Sequence, residues 1–137
     1  MIETLKTFGW LLIQAIQIFV IVLPVSILLA FNFVLATVIS NSKGKDGFSF
    51  KMLTPIVWPF GILFIASVFL YKGQPGKASE LPALGAGLMW FVQIAHSVWL
   101  TTTSSNRWVS LAIGLLIFWF SCCCAFMASM ALSNSWM

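Results

Sequence analysis

The chain has 137 residues, of which 61% are hydrophobic and only 7% are charged. A soluble domain carries about 25% charged residues, so this composition excludes a water-soluble fold, which could not hide so much apolar surface. We expect an all-α polytopic integral membrane protein that forms a single membrane domain over residues 1–137, with lipid as its solvent. The net charge of +4 comes from a few loop residues, as is typical of lysines at a membrane surface, and predicts no nucleic-acid partner.

The first apolar segment covers residues 8–39 and is longer than a bilayer requires. A span needs roughly 20 residues, whereas a continuous helix of about 30 residues extends on the order of 45 Å. Pro24 lies at the middle of the segment and removes one backbone donor, which predicts a kink there. The segment also far exceeds the roughly 7–15 apolar residues of a signal peptide, so we expect a retained membrane helix.

The second apolar segment covers residues 54–71 and follows a loop rich in Gly, Ser, Asn and Lys. Thr54 can cap the helix, and Pro55 suits its first position because the backbone donor missing there is not needed. Pro59 falls just inside the segment and predicts an irregular first turn. The segment is close to the lower length limit for a membrane span.

Two further apolar segments cover residues 82–103 and 108–132, with the polar stretch TTTSSNR between them. Four spans joined by short loops predict antiparallel neighbours in one compact bundle, in which the first and third helices run in the same direction. Basic residues are divided almost evenly between the two sides, so the positive-inside rule does not fix the orientation. Two interpretations stay open: insertion both ways as an antiparallel homodimer, or an orientation imposed by a partner or by the assembly machinery.

Polar side chains within the apolar segments are informative, because polar groups in lipid are costly and need partners. Those of the first segment lie near one helical direction, and those of the third recur at i, i+3 and i+4. Both sets lie at comparable depth, so we expect an interhelical hydrogen-bond cluster worth about 0.6–2 kcal/mol per contact. An alternative is that this face binds a neighbouring subunit, a lipid headgroup or a pigment. The predicted polar cluster consists of Gln14, Gln17, Asn32, Gln93, His96 and Ser97.

His96 is the only histidine of the chain, and two interpretations compete for it. In the first, it joins helices through the predicted polar cluster. In the second, its neutral imidazole is an axial ligand of a haem or a chlorophyll, and a second histidine ligand would have to come from another chain. A proton or cation path is disfavoured, because no predicted span contains a charged residue.

The sequence predicts neither a metal site nor catalysis by this chain alone. The three cysteines, Cys122 to Cys124, are contiguous, and neighbours on a helix point about 100° apart, so they cannot converge on one metal ion. We interpret them as small core residues. No motif pairs a nucleophile with a positioned base, although the chain could belong to a complex that is an enzyme or a transporter.

Small residues form a stripe along the fourth segment, within about 40° of one helical direction. Such stripes allow helices to approach each other closely. The stripe could pack against the small residues at the start of the third segment, or it could form an interface with another subunit. Its members are Ser110, Gly114, Ser121, Ala125 and Ala128, with Ser129 close by.

The function that these patterns predict is that of a non-catalytic small subunit of a larger integral membrane complex, which packs against partner subunits and stabilises or positions them. One alternative is a small homo-oligomeric pore, carrier or holin-like protein, in which Gln14, Gln17, Asn32 and Gln93 line a wet path. A second alternative is a haem- or pigment-binding membrane subunit that uses His96. We expect a multi-pass protein with bound lipids, in a bacterial inner membrane or an organellar membrane.

Overall fold

The computed structural model describes residues 2–42, 49–71 and 80–133, and every regular element within these ranges is helical, which confirms the all-α class. Five of its segments are long and apolar enough to cross a membrane. The lysines at positions 43, 45, 72 and 77 are among the basic residues that bear on the orientation under the positive-inside rule, and they lie outside the described residues. The helices are α1 (Ile2–Ile21), α2 (Leu23–Ser42), a 3₁₀ helix (Phe50–Ile56), α3 (Val57–Tyr71), α4 (Glu80–Thr103) and α5 (Arg107–Ser133).

The first predicted segment is two helices rather than one. It extends beyond residues 8–39 at both ends, and it is interrupted at Val22, between α1 and α2. The cause is Pro24, which has no backbone N–H and whose ring crowds the turn before it. The predicted disturbance by Pro24 is therefore present as an interruption of the helix, two residues before the proline.

A serine side chain holds the break between α1 and α2. Ser26 Oγ donates a hydrogen bond of 2.9 Å to the carbonyl oxygen of Phe19, and Trp119 Nε1 of α5 donates one of 3.3 Å to Ser26 Oγ. An α-helix pairs groups four residues apart, so this link across seven residues replaces a regular backbone contact. It also ties the break to α5.

We expect Ser26→Ala to lower the free energy of unfolding by about 1–3 kcal/mol, because it removes the donor to Phe19 O and the acceptor of Trp119. Denaturant titration of the purified chain in detergent measures the change. Ser129→Ala is the matched control, since Ser129 is exposed and bonds only to the carbonyl of Phe126 in its own helix; its effect should stay within about 0.5 kcal/mol. Equal losses for the two variants would show that Ser26 does not hold the break.

The second predicted segment starts earlier than residue 54, because the 3₁₀ helix Phe50–Ile56 leads directly into α3. The predicted irregular first turn is confirmed. Pro55 lies inside the 3₁₀ helix and Pro59 in the first turn of α3, where a missing backbone N–H does not break a helical bond. The third and fourth predicted segments agree with α4 and α5 to within two residues.

α3 and α5 form the centre of the bundle. They pack against each other, and each of them also contacts both α1 and α4. Over the described residues, α1 and α4 do not touch, so the four helices form a lozenge with α1 and α4 at its far corners. Leu11 of α1, Leu63 of α3 and Met127 of α5 belong to the main buried apolar cluster.

α1 and α2 follow α5 along its length in the opposite direction. The rings of Phe19 and Phe120 are 5.7 Å apart, and near the other end Asn106 Nδ2 donates a hydrogen bond to Ser40 Oγ. Apart from its junction with α1, the backbone of α2 comes close only to that of α5 among the described helices. Most of the surface of α2 therefore remains uncovered by this chain.

Candidate functional site

His96 is the centre of a chain of hydrogen bonds that joins α4 to the 3₁₀ helix and to the start of α3. Trp58 Nε1 lies 3.1 Å from His96 Nδ1, and His96 Nε2 lies 3.2 Å from Thr54 Oγ1. Thr54 Oγ1 in turn donates to the carbonyl oxygen of Lys51 at 2.8 Å. An indole N–H can only donate, so Nδ1 is an acceptor and the ring proton is on Nε2, from which it reaches Thr54.

These contacts restrict what His96 can bind. Both ring nitrogens have partners within the chain, so ligation of a haem or chlorophyll through either nitrogen would break one of the two bonds. Trp58 also packs edge-on against the imidazole, with ring centroids 6.4 Å apart. Within the described residues, no group of three or more His, Cys, Asp or Glu side chains could hold a metal ion.

Thr54 and Trp58 are not among the site residues that the sequence predicts. They are four residues apart, and this spacing places both on one helical face, which is the only local signal of a shared role. The level of Thr54 and Trp58 relative to His96 depends on the 3₁₀ helix before α3. The length of that 3₁₀ helix could not be predicted from the pattern of apolar residues.

The predicted polar cluster is not formed across the first and third membrane segments. α1 and α4 are separated by α3 and α5, so Gln14 and Gln17 cannot reach Gln93 or His96. Gln14 is half-buried and Gln17 is exposed. Asn32 is also exposed, and its Nδ2 donates to the carbonyl of Leu28 in its own helix at 2.9 Å.

Gln93 and Ser97 instead point into the bundle. Gln93 is completely buried, and neither its amide nitrogen nor its amide oxygen has a hydrogen-bond partner in the chain. The Ser97 hydroxyl is likewise buried without a partner. The six predicted residues are therefore divided among three places: Gln14, Gln17 and Asn32 lie on α1 and α2, His96 lies in its own chain of hydrogen bonds, and Gln93 and Ser97 lie in the bundle interior.

The small-residue stripe of α5 is used largely within the chain. Gly114 faces α4, where an added methyl group would lie 3.6 Å from Ser97 Cβ. Ala125 is half-buried, and Ser129 is exposed. The fully covered members are Ser110, Ser121 and Ala128.

Two cavities border α2. The larger has a volume of about 690 Å³ and is lined by residues of α1, α2, the 3₁₀ helix, α3 and α5; its walls are apolar and include Phe19, Phe33, Phe60 and Phe120. The smaller has about 570 Å³ and lies near the start of α5, with Ser40, Asn106, Arg107 and Trp108 among its lining residues. The first suits hydrocarbon, whereas the second combines a cation, amide groups and an aromatic ring.

Comparison with protein-family models, curated proteins and solved structures gave no match. The geometry of the chain itself therefore has to support any functional proposal.

Proposed function

We propose that this chain is an integral membrane protein that crosses the bilayer four times. α1 and α2 together make one crossing, because they follow α5 end to end. The 3₁₀ helix with α3, then α4, then α5 make the other three. The apolar character of all five segments supports this proposal, and so does the wide apolar surface that the bundle leaves uncovered.

Within that membrane, we propose that the chain is a non-catalytic small subunit of a larger integral membrane complex. The observation that carries this proposal is the position of Gln17. Its side chain is exposed on the outer face of α1, among Trp10, Ile13 and Ile21, which are 47%, 56% and 77% exposed. It makes no hydrogen bond to the described part of the chain, and hydrocarbon offers none. A polar side chain from a neighbouring subunit would supply the missing partner.

The uncovered surface of α2 supports the same proposal. Since α2 packs on α5 alone, a neighbouring helix can approach it from several sides. Its exposed bulky residues include Ile27, Leu28, Phe31, Val34 and Val38. Together with the outer face of α1, this makes one long surface on a single edge of the bundle.

The test is the composition of the particle extracted from native membranes in mild detergent. We expect the unmodified chain to elute with other membrane proteins, and Gln17→Leu to elute as a smaller particle that has lost at least one of them. Ile13→Leu changes the same exposed face without removing an amide and should leave the particle unchanged. Gln17 has no partner inside the chain, so the variant should fold normally.

A particle that contains only copies of this chain would overturn the subunit proposal and favour the homo-oligomeric pore, carrier or holin-like alternative, with Gln17 facing its counterparts. In that case the wet path would differ from the predicted one, because Gln93 lies inside the bundle and Gln17 outside it. A particle with visible absorbance that His96→Ala removes would instead favour the haem- or pigment-binding alternative.

A further inference from the structure

Four side chains of α4 and α5 carry buried polar groups that have no hydrogen-bond partner in the chain. Trp90, Gln93 and Ser97 are on α4, and Ser121 is on α5. The groups without a hydrogen-bond partner are Trp90 Nε1, both polar atoms of the Gln93 amide, Ser97 Oγ and Ser121 Oγ. Gln93 and Ser121 are both 0% exposed.

Contacts on either side of Gln93 show where its amide points. Ser97 lies against Gly114 of α5, and the ring of Trp90 stacks on Phe118 of α5 at 5.2 Å. His96, by contrast, bonds to Trp58 of α3. At about 100° per residue, Gln93 lies between these two directions, so its side chain leaves α4 between the directions of α3 and α5 and is completely buried.

The interior cannot leave these groups unpaired at low cost. A buried donor or acceptor without a partner costs about 1–3 kcal/mol, and folded proteins satisfy roughly 90% or more of such groups with protein or ordered water. None of these atoms is within hydrogen-bonding distance of another. A bound molecule that both donates and accepts hydrogen bonds would give these groups the partners that they lack.

The chemistry of the four residues favours a bound molecule without net charge. Amide, hydroxyl and indole groups provide donors and acceptors without a net charge. Apart from His96 and the cysteines, the ionisable residues in the described parts of α3, α4 and α5 lie at helix ends: Tyr71, Glu80 and Arg107. An ion would thus lack a counter-charge in the interior, whereas water needs only two to four polar partners.

We propose that Trp90, Gln93, Ser97 and Ser121 form a binding site for internal water molecules, which bridge the Gln93 amide to the neighbouring hydroxyl and indole groups. The seam between α4 and α5 is then hydrated at its centre, and Gln93 is its principal anchor. This site is independent of any partner subunit, because all four residues belong to one chain.

The deciding experiment is water-edited solid-state NMR on the full chain in lipid nanodiscs, with ¹⁵N-labelled glutamine side chains. We expect the Gln93 amide nitrogen to receive magnetisation from water. Gln93→Leu assigns the signal by removing it, and Gln93→Asn keeps an amide should the leucine variant fail to fold. The exposed Gln17 is a positive control only where solvent reaches its side chain. The signal of Gln93 is therefore compared with that of the half-buried Gln14, which lies on α1. A Gln93 signal with no transfer from water would overturn the proposal.

Stability gives a second, independent readout. If water bridges the site, Gln93→Leu leaves the water and the remaining hydroxyl groups without hydrogen-bond partners. We then expect the folding equilibrium constant to fall about tenfold. If the site is dry, the same change removes an unpaired amide and raises the constant, which would contradict the proposal. Gln14→Leu is the matched control and should change it less than about threefold.

Discussion

Replacing Leu63 by alanine is expected to lower the free energy of unfolding by about 2–5 kcal/mol. Leu63 is 0% exposed and lies in the cluster that α1, α3 and α5 share. The substitution leaves a cavity among packed helices. Lipid or detergent cannot enter this cavity, and neighbouring side chains can fill it only in part. Denaturant titration of the purified chain in mixed micelles measures the loss.

Leu88→Ala is the matched control for Leu63→Ala. Leu88 carries the same side chain on α4 but is 65% exposed, and lipid or detergent can occupy the space that it vacates. We expect a change of at most about 0.5 kcal/mol. Comparable losses at the two positions would contradict the placement of α3 at the centre of the lozenge.

The second large effect is expected at His96. His96→Leu removes both hydrogen bonds that join α4 to Thr54 and Trp58, and it leaves the indole N–H of Trp58 without an acceptor in a partly buried place. We expect a loss of about 2–3 kcal/mol, near the upper end of the range for a buried donor or acceptor left unpaired. The same titration measures it.

A double-mutant cycle with Trp58→Phe separates the hydrogen bond from the packing of the rings. We expect the losses of His96→Leu and Trp58→Phe to be non-additive by about 0.5–3 kcal/mol, as for residues in direct contact. Trp99→Phe is the control partner, because Trp99 is also near the imidazole, with ring centroids 6.1 Å apart, but is exposed. If the losses of His96→Leu and Trp58→Phe were strictly additive, the hydrogen bond between the two side chains would contribute nothing to the free energy of unfolding.

Helix positions could be predicted from the sequence because they depend on local properties. Runs of apolar residues end where Gly, Ser, Asn and Lys begin, and this contrast located α4 and α5 closely. Pro24 likewise predicts an interruption by its chemistry alone. What local pattern could not show is that the interruption divides a single predicted helix into two complete ones.

The identity of neighbouring helices could not be predicted in the same way. Helical phase shows which residues share a face, but it does not show which helix that face meets. Gln93 and His96 are three residues apart and were expected to meet the same partner on the first segment. Their directions differ by about 60°, which is enough for His96 to meet α3 while Gln93 points to the bundle centre.

For a chain that crosses the membrane as proposed, the break at Val22 determines how the first crossing fits bilayers of different thickness. α1 and α2 have 20 residues each and would extend about 60 Å if they were collinear, roughly twice the hydrocarbon thickness. The backbone of α2 is not close to α3 or α4, so a change of the angle at Val22 would break the bond between Trp119 and Ser26 and shift the contacts with α5, but leave the packing of α3 against α4 in place. In the proposed membrane arrangement, the pair α1 and α2 would absorb hydrophobic mismatch by straightening at Val22 in a thick bilayer and by bending there in a thin one.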